Sequence, residues 1–506
     1  MELRTLARRT ALAIGTTAVL AASITGCSSG LGGGGSSGTD QTTERASSFS
    51  LDIDRRNVRD AVRGYVDRLR SGEPGALPSV LGLLVLGAIF SVVSSRFFTL
   101  NNIGNLPGQG AYIAIIGLGL VFVLLLGEID LSAGTAGGIC AGAAAQALTS
   151  HGLRHGIPGA SALYWILIAA MVALAGLGFY LRSITGPVLV LIGVAVTVTG
   201  ADQYVVPAII FAIALGAAIG ILNGWLVAKI GIPSFIVTLA LFLAWQGVLL
   251  FLLDSQPIGI NGYPVWFGLA HDNMSPAWSW VFTIVMTGGY LLYSVVRSLR
   301  AQAKGLAADT LRLVLVRGLV IVAIGVVITA LADRNRNTNP FLVINGLPWA
   351  LTIPIVLMVV STIALNRTTW GRHLFAAGGS AEAARRAGID VTHIKVTAFT
   401  ICSGFGALGG VFLASTTGGA QLDLGAGNIL LFAVAAAVIG GTSLFGGRGR
   451  PRDAIIGALV IVMIPNGIGL RPSLPPSYQN IITGVVLLIA AGIDALSRRR
   501  SATRRS

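Results

Sequence analysis

Cysteine is nearly absent: Cys27, Cys140 and Cys402 are the only three in 506 residues, at spacings that fit neither a disulfide framework nor a metal site. Lysine is equally scarce. Lys229, Lys304 and Lys395 are the whole set, and none follows glycine, so the chain has no GxxxxGK[ST] loop with which to cradle ATP phosphates. Neither HExxH nor CxxC occurs, and no metal and no cofactor is expected. A GxSxG pattern arises only in the Ser/Gly-rich start, as at 26–30, where low complexity generates it and no strand-to-helix elbow is plausible.

What is present is apolar. Hydrophobic residues make up 54% of the chain, charged residues only 11%, and 67 positions are glycine, the composition of closely packed transmembrane helices rather than of a soluble core. The expected fold is all-α, a polytopic transmembrane helical bundle. Apolar segments fall near 79–95, 111–127, 132–149, 161–181, 187–201, 206–228, 234–253, 280–296, 316–332, 347–366, 396–415, 427–445, 453–466 and 478–495. Some are too short for about 30 Å of hydrocarbon and read as re-entrant or broken, which gives about 10–14 membrane segments.

The net charge of +15 does not point to nucleic acid, because the basic residues concentrate in short loops and at the two ends, as retention of positive charge in the cytoplasm produces. Arg55, Arg56, Arg59, Arg63, Arg68 and Arg70 precede the first segment and place that flank inside. Parity then puts Lys229, the cluster from Arg297 to Arg317, the cluster from Arg367 to Lys395, the arginines at 448, 450 and 452 and those at 498–500 on the same side. The loop 254–278, free of Lys and Arg, falls outside. Arg334 and Arg336 are the main exceptions and make the segment at 316–332 the least secure.

The first 45 residues read differently. Arg4, Arg8 and Arg9 precede an apolar run that ends in Ile24-Thr25-Gly26-Cys27, followed by a Ser/Gly-rich stretch. This resembles a lipoprotein signal in which Cys27 would be acylated. Export of Cys27 conflicts with an inside position for the six arginines at 55–70. Either the start is fused or misassigned, the preferred resolution, or it adds an anchor and a crossing. The resulting organisation is a leader and linker over 1–45, a basic cytoplasmic lead-in over 46–78, a transmembrane domain over 79–497 and a basic cytoplasmic tail over 498–506.

Polar residues inside or beside the apolar runs are the candidate site. Glu128 and Asp130 abut the run VFVLLL, where a membrane-central carboxylate would cost roughly 2.5–3.5 kcal/mol unless paired, hydrated or near an interface. Both a place on a translocation path or gate and a simple capping role for Asp130 or Ser132 fit. Parity puts the two acids towards cytoplasmic helix ends. Asn223 suits a bond across helices, Gln246 suits a polar lining, and Pro233 suits the first turn of the next helix. In the loop after Asn366, Ser380 can cap a short helix, Glu382 suits its positive end, Arg385 and Arg386 its negative end, and Gly388 a left-handed stop. The alanine face of that helix offers a shallow knob for another protein. A plain solvated loop is the other interpretation.

GEIDLSAG at 127–134, ILNGWLVAKIGIPSFIVTLA at 221–240, GRHLFAAGGSAEAARRAGID at 371–390 and IGGTSLFGGRG at 439–449 occur in this order. Together they resemble the permease subunits of ATP-binding-cassette importers for pentoses and related sugars, the ribose/xylose type, over about 55–497. The basic lead-in and the long middle section are most similar to xylose permeases. Departures are Ala133 where valine is usual, Ser380 where asparagine is common, Arg450 as an added charge, an insertion around 161–201 and the lipoprotein-like start.

The resemblance implies a permease homodimer in a bacterial inner membrane, two cytoplasmic ATP-binding subunits and an extracytoplasmic sugar-binding protein. It also implies that 380–388 docks into the ATPase and that this chain is no enzyme, with ATP hydrolysed on a separate subunit. Glycines at 404, 406, 409, 410, 440 and 441 would let helices approach and slide. Two rivals remain at the level of sequence: an ion-coupled secondary transporter using Glu128 or Asp130, and an intramembrane enzyme using them as an acid/base pair.

Overall fold

A computed structural model describes residues 77–337 apart from 158–160 and 306–309, and 339–492 apart from 340, 342, 472, 474, 476 and 489–491. The leader, Cys27, most of the basic lead-in and the tail at 498–506 lie outside the described residues. The described chain is almost wholly helical. Its only sheet among these residues is a two-stranded antiparallel pair, β1 (Ile258–Gly259) with β2 (Gly419–Ala420), in the register Ile258 opposite Ala420.

The helices are α1 (Leu77–Val93), α2 (Leu100–Leu124), α3 (Ala133–Thr149), α4 (Ser161–Tyr180), α5 (Thr185–Val198), α6 (Val205–Ile230, its last turn wound as a π-helix), α7 (Ser234–Leu252), α8 (Pro264–His271), α9 (Pro276–Ala303) and α10 (Leu311–Ala332). After them come α11 (Trp349–Arg367), α12 (Thr369–Gly379), α13 (Ala381–Arg386), α14 (Val391–Thr417), α15 (Ile429–Gly440), α16 (Pro451–Gly469) and α17 (Ser477–Leu488). Among the described residues nine are long and apolar enough to cross a membrane, namely α2, α4, α6, α7, α9, α10, α11, α14 and α16. Each of the fourteen apolar segments overlaps a helix within the described residues, the last as far as Leu488. α15, at 12 residues or about 18 Å, is too short to span on its own.

The chain divides into two compact units. In the first, the described part is Ser275–Asn335, where α9 and α10 form a hairpin. Gly318 lets Leu291 close onto α10, Thr283 and Thr329 share a hydrogen bond of 2.5 Å, and the Trp280 indole donates to Asp333 at 3.4 Å.

The second unit, Pro78–Met274 with Arg336–Leu496, is organised on α14. This helix packs on α2, α3 and α6, while α16 packs on α2 and α15. Small residues make the approach possible. A β-carbon on Gly410 would lie 2.1 Å from the Gly137 carbonyl oxygen, and one on Gly137 would lie 2.2 Å from that of Gly406, so α3 and α14 touch backbone to backbone. On α6, Gly216, Gly220 and Gly224 repeat every fourth residue and meet α14 at Ser403, Phe399 and Val396. Gly404, expected in this role, has open space beside it. α4 and α5 form the additional hairpin and pack against α6.

Several boundaries depart from expectation, and two of them have a local cause. α2 begins at Leu100 rather than near 111, because Thr99 accepts from the Asn102 amide and the Asn102 side chain finds partners inside the protein. Asn102 and Asn466 of α16 exchange a reciprocal pair of amide bonds, both 2.9 Å. Pro233 sits one position before α7, as its N-cap, since α7 starts at Ser234. Its ring still needs no amide partner there.

Candidate functional site

The eight-residue loop 125–132 between α2 and α3 is the point on which the four sequence motifs converge. α2 ends in a Schellman arrangement: Gly127 takes φ +74°, its amide bonds Leu124 O at 2.9 Å and the Glu128 amide reaches Val123 O at 3.2 Å. Glu128 then projects to Lys395, in the second turn of α14, and pairs with it; their side chains keep only 17% and 19% of their exposure. The Ile129 amide donates to Ser234 Oγ at 3.3 Å, and Thr238 Oγ1 donates back to Ile129 O at 3.3 Å, which ties the loop to α7.

Asp130 is fully buried, and its Oδ1 accepts from both the amide (2.9 Å) and the hydroxyl (2.7 Å) of Ser132. Ser132 Oγ in turn accepts from Asn223 Nδ2 of α6 at 3.0 Å. Cys402 of α14 lies beside the Asp130 carboxyl, whose Oδ2 takes no hydrogen bond. Burial raises the Asp130 pKa above the ordinary carboxylate value, and the two bonds from Ser132 oppose that shift. The capping role is therefore divided. Asp130 bonds the start of α3, whereas Ser132 stands at its N-cap with no capping bond of its own.

Two further segments close on the same loop. Gly378 of α12 presses on Leu125, where a β-carbon would lie 1.9 Å from the carbonyl oxygen. The Gly447 amide donates to that same oxygen at 2.8 Å, and Gly446 fits between Gly127 and Gly378, its absent β-carbon 2.9 Å from the Gly127 nitrogen and 2.9 Å from the Gly378 oxygen. α12 is anchored from its other end by Trp370, whose indole donates to Thr397 Oγ1 at 2.8 Å and whose ring lies 5.9 Å from that of Phe122.

α13 is built as its sequence predicts. Ser380 Oγ accepts from the Ala383 amide at 3.2 Å, Glu382 and Arg386 pair along one exposed face, and Gly388 takes φ +81° to stop the helix. Ser380, Glu382, Arg385, Arg386 and Gly388 are all exposed. The alanine face is only partly offered outward: Ala384 is buried in the chain's own apolar core, and Ala383 and Ala387 are exposed.

The four path candidates separate. Glu128 is mostly buried in its ion pair, Asp130 and Asn223 are sealed in the loop's hydrogen-bond chain, and Gln246 is half-buried on α7, outside these contacts. Sequence inspection missed Lys395 as the partner of Glu128, and Ser234 and Thr238 as the loop's holders. Lys395 had a signal: one of three lysines, it opens an apolar helix where a cation gains nothing from the macrodipole. Among the described residues no group of His, Cys, Asp or Glu is placed to hold a metal ion.

Residues 102–491 match the family described as "Branched-chain amino acid transport system / permease component". The chain is 30% identical over 406 residues to the xylose transport system permease protein XylH of Escherichia coli K12, covering 80% of this chain and 87% of that protein. It is 28% identical over 428 residues to XylH of Haemophilus influenzae, covering 83% and 96%. The ribose import permease protein RbsC of Escherichia coli K12 is 27% identical over 422 residues, covering 82% and 92%. No solved structure gives a significant match.

Proposed function

We propose a function for a chain that belongs to the branched-chain amino acid transport system / permease component family and is a multi-pass protein of the bacterial inner membrane. It is the membrane-spanning permease subunit of an ATP-driven importer for a pentose-type sugar, xylose in preference to ribose. The convergence of α12, the loop at 442–450 and the loop 125–132 at one end of the bundle carries this interpretation. A short, exposed, well-capped helix, α13, stands beside that junction, where a cytoplasmic partner can push on it.

The chain has no phosphate-cradling loop of its own, so hydrolysis belongs to a separate subunit. In this scheme Ser380, Glu382, Arg385, Arg386 and Gly388 shape the contact with the ATP-binding subunit. An extracytoplasmic protein delivers the sugar, and two copies of the permease enclose one path. Gln246 serves the path and Glu128 acts on its gate from its ion pair with Lys395, whereas Asp130 and Asn223 hold the loop from within. The preference for xylose rests on the XylH relatives, whose identity only slightly exceeds that of RbsC. An ion-driven carrier finds no support among these relatives, which are named as transport-system and import permeases.

Reconstitution in proteoliposomes tests the scheme. Uptake of labelled D-xylose should need the ATP-binding subunit, the binding protein and ATP together, and should exceed that of D-ribose. Uphill uptake by the purified chain under a proton gradient alone would overturn it.

A further inference from the structure

We infer that Lys395 and Glu128 form the link through which movement of the docked helices reaches the membrane-spanning helices. This rests on the proposed function and assigns a positioning role within it. α12, α13 and the start of α14 are continuous in sequence, so whatever displaces 369–388 displaces Lys395.

That continuous segment touches the loop 125–132 at two points three residues apart. Gly378 bears on Leu125 through backbone atoms, and Lys395 holds the Glu128 side chain. The first contact can only push. The second, an ion pair largely withdrawn from water, can also pull, because separating it strands two poorly solvated charges. On its far side the loop is fixed to α7 through Ile129, Ser234 and Thr238, and to α6 through Ser132 and Asn223. Load entering at Lys395 therefore leaves through α6 and α7. A second ion pair of the docked segment, Arg386 with Glu382, lies out in solvent. Neither partner is needed to close a helix: Gly127 ends α2 and Asp390 caps α14 through the His393 amide.

The test uses the full assembly of permease, ATP-binding subunit and binding protein in proteoliposomes, with Glu128→Gln, Lys395→Met and the exchanged pair Glu128→Lys with Lys395→Glu. Both single variants should capture the ATP-binding subunit as wild type does and hydrolyse ATP at a similar rate. The D-xylose moved per ATP should fall by about tenfold, within the span by which coupled sites shift one another. The exchanged pair should recover most of that loss. Wild-type uptake per ATP in the single variants overturns the inference, and so does an exchanged pair as defective as they are, which assigns the loss to packing. Loss of subunit capture in the single variants overturns it too, by making the pair part of the docking surface. Failure of the wild-type chain to capture any ATP-binding subunit removes the proposed function itself, and is read in the control before any variant.

Discussion

Asn223 on α6 reaches Ser132 at the head of α3 with a 3.0 Å hydrogen bond, and the Ser132 hydroxyl in turn donates a hydrogen bond to Asp130 Oδ1 at 2.7 Å. All three residues are shut off from solvent. A relay of this kind is worth more than its surface equivalent, because each member removed leaves a buried polar group alone.

Asn223→Ala should lower stability by about 0.6–2 kcal/mol, the range for interhelical bonds in membranes. Ser132→Ala should cost more, since it strands Asn223 and removes one of the two bonds to Asp130 Oδ1. Thermal unfolding in detergent gives the order. Equal midpoints for both variants and wild type would remove the relay from any account of the fold.

Asp130 should give the folded state an unusual dependence on pH. Burial raises its folded-state pKa above the ordinary value of 3.8, so between these two values the folded chain holds a proton that the unfolded chain has lost. Its contribution to stability is complete below 3.8 and declines as pH rises through the folded-state pKa. Asp130→Asn keeps the accepting oxygen for Ser132 without the charge. Midpoints measured from pH 4 upward should fall less steeply in the variant; identical slopes would mean that the carboxyl does not titrate in this window.

Local signals were readable in the sequence and distant ones were not. The Ser380 cap and the Gly388 stop depend on residues within one or two turns, and both are present as expected. The membrane-length helices followed from long apolar runs, but α8 and α12 lie outside any such run, and polar residues hide the start of α2: Asn102 reads as loop until Asn466, 364 residues away, supplies its partner. Glu128 and Lys395 stand 267 residues apart, so nothing in either motif announces the other. The repeat Gly216, Gly220, Gly224 was legible as a packing stripe and was overlooked beside the louder motif that begins at Ile221.

The glycine interlock separates position from composition. Gly137→Ala would place a β-carbon 2.2 Å from the Gly406 oxygen, and backbone cannot step aside as a side chain does. A loss of about 1–3 kcal/mol or a failure to accumulate in the membrane is expected. Gly404→Ala, on the same helix as Gly406 but with open space beside it, should be neutral or stabilising by up to about 1 kcal/mol. Folded yield and melting midpoint of the two variants provide the comparison, and equal tolerance at both positions would contradict the α3–α14 contact.

The residues proposed to dock the ATP-binding subunit should act on partnership and leave the fold intact. Glu382 and Arg386 pair in solvent four residues apart, an arrangement worth under about 0.5 kcal/mol to the helix. Reversing Glu382 to Lys should leave the melting midpoint within error and cut co-purification of the ATP-binding subunit about tenfold, as losing about 1.4 kcal/mol at an interface does. Undiminished capture and uptake would move the docking surface away from α13.

Orientation is open to a direct test, and Arg336 accounts for one of the two arginines that strain the charge count. Arg336 is 8% exposed and donates to Asn273 Oδ1 at 3.0 Å and to Gly346 O at 2.9 Å. It thus serves as a buried brace between two loops that parity puts on the outer side, and it does not act as a free charge holding its loop in the cytoplasm. Cys140 and Cys402 are buried, so with Cys27 replaced by serine the chain offers a quiet background for labelling. On intact spheroplasts an impermeant maleimide should label Gln256→Cys, in the loop without Lys or Arg, and should reach His373→Cys on α12 only after lysis. The reverse pattern would turn the bundle over and place the junction of the four motifs on the face that no ATPase can touch.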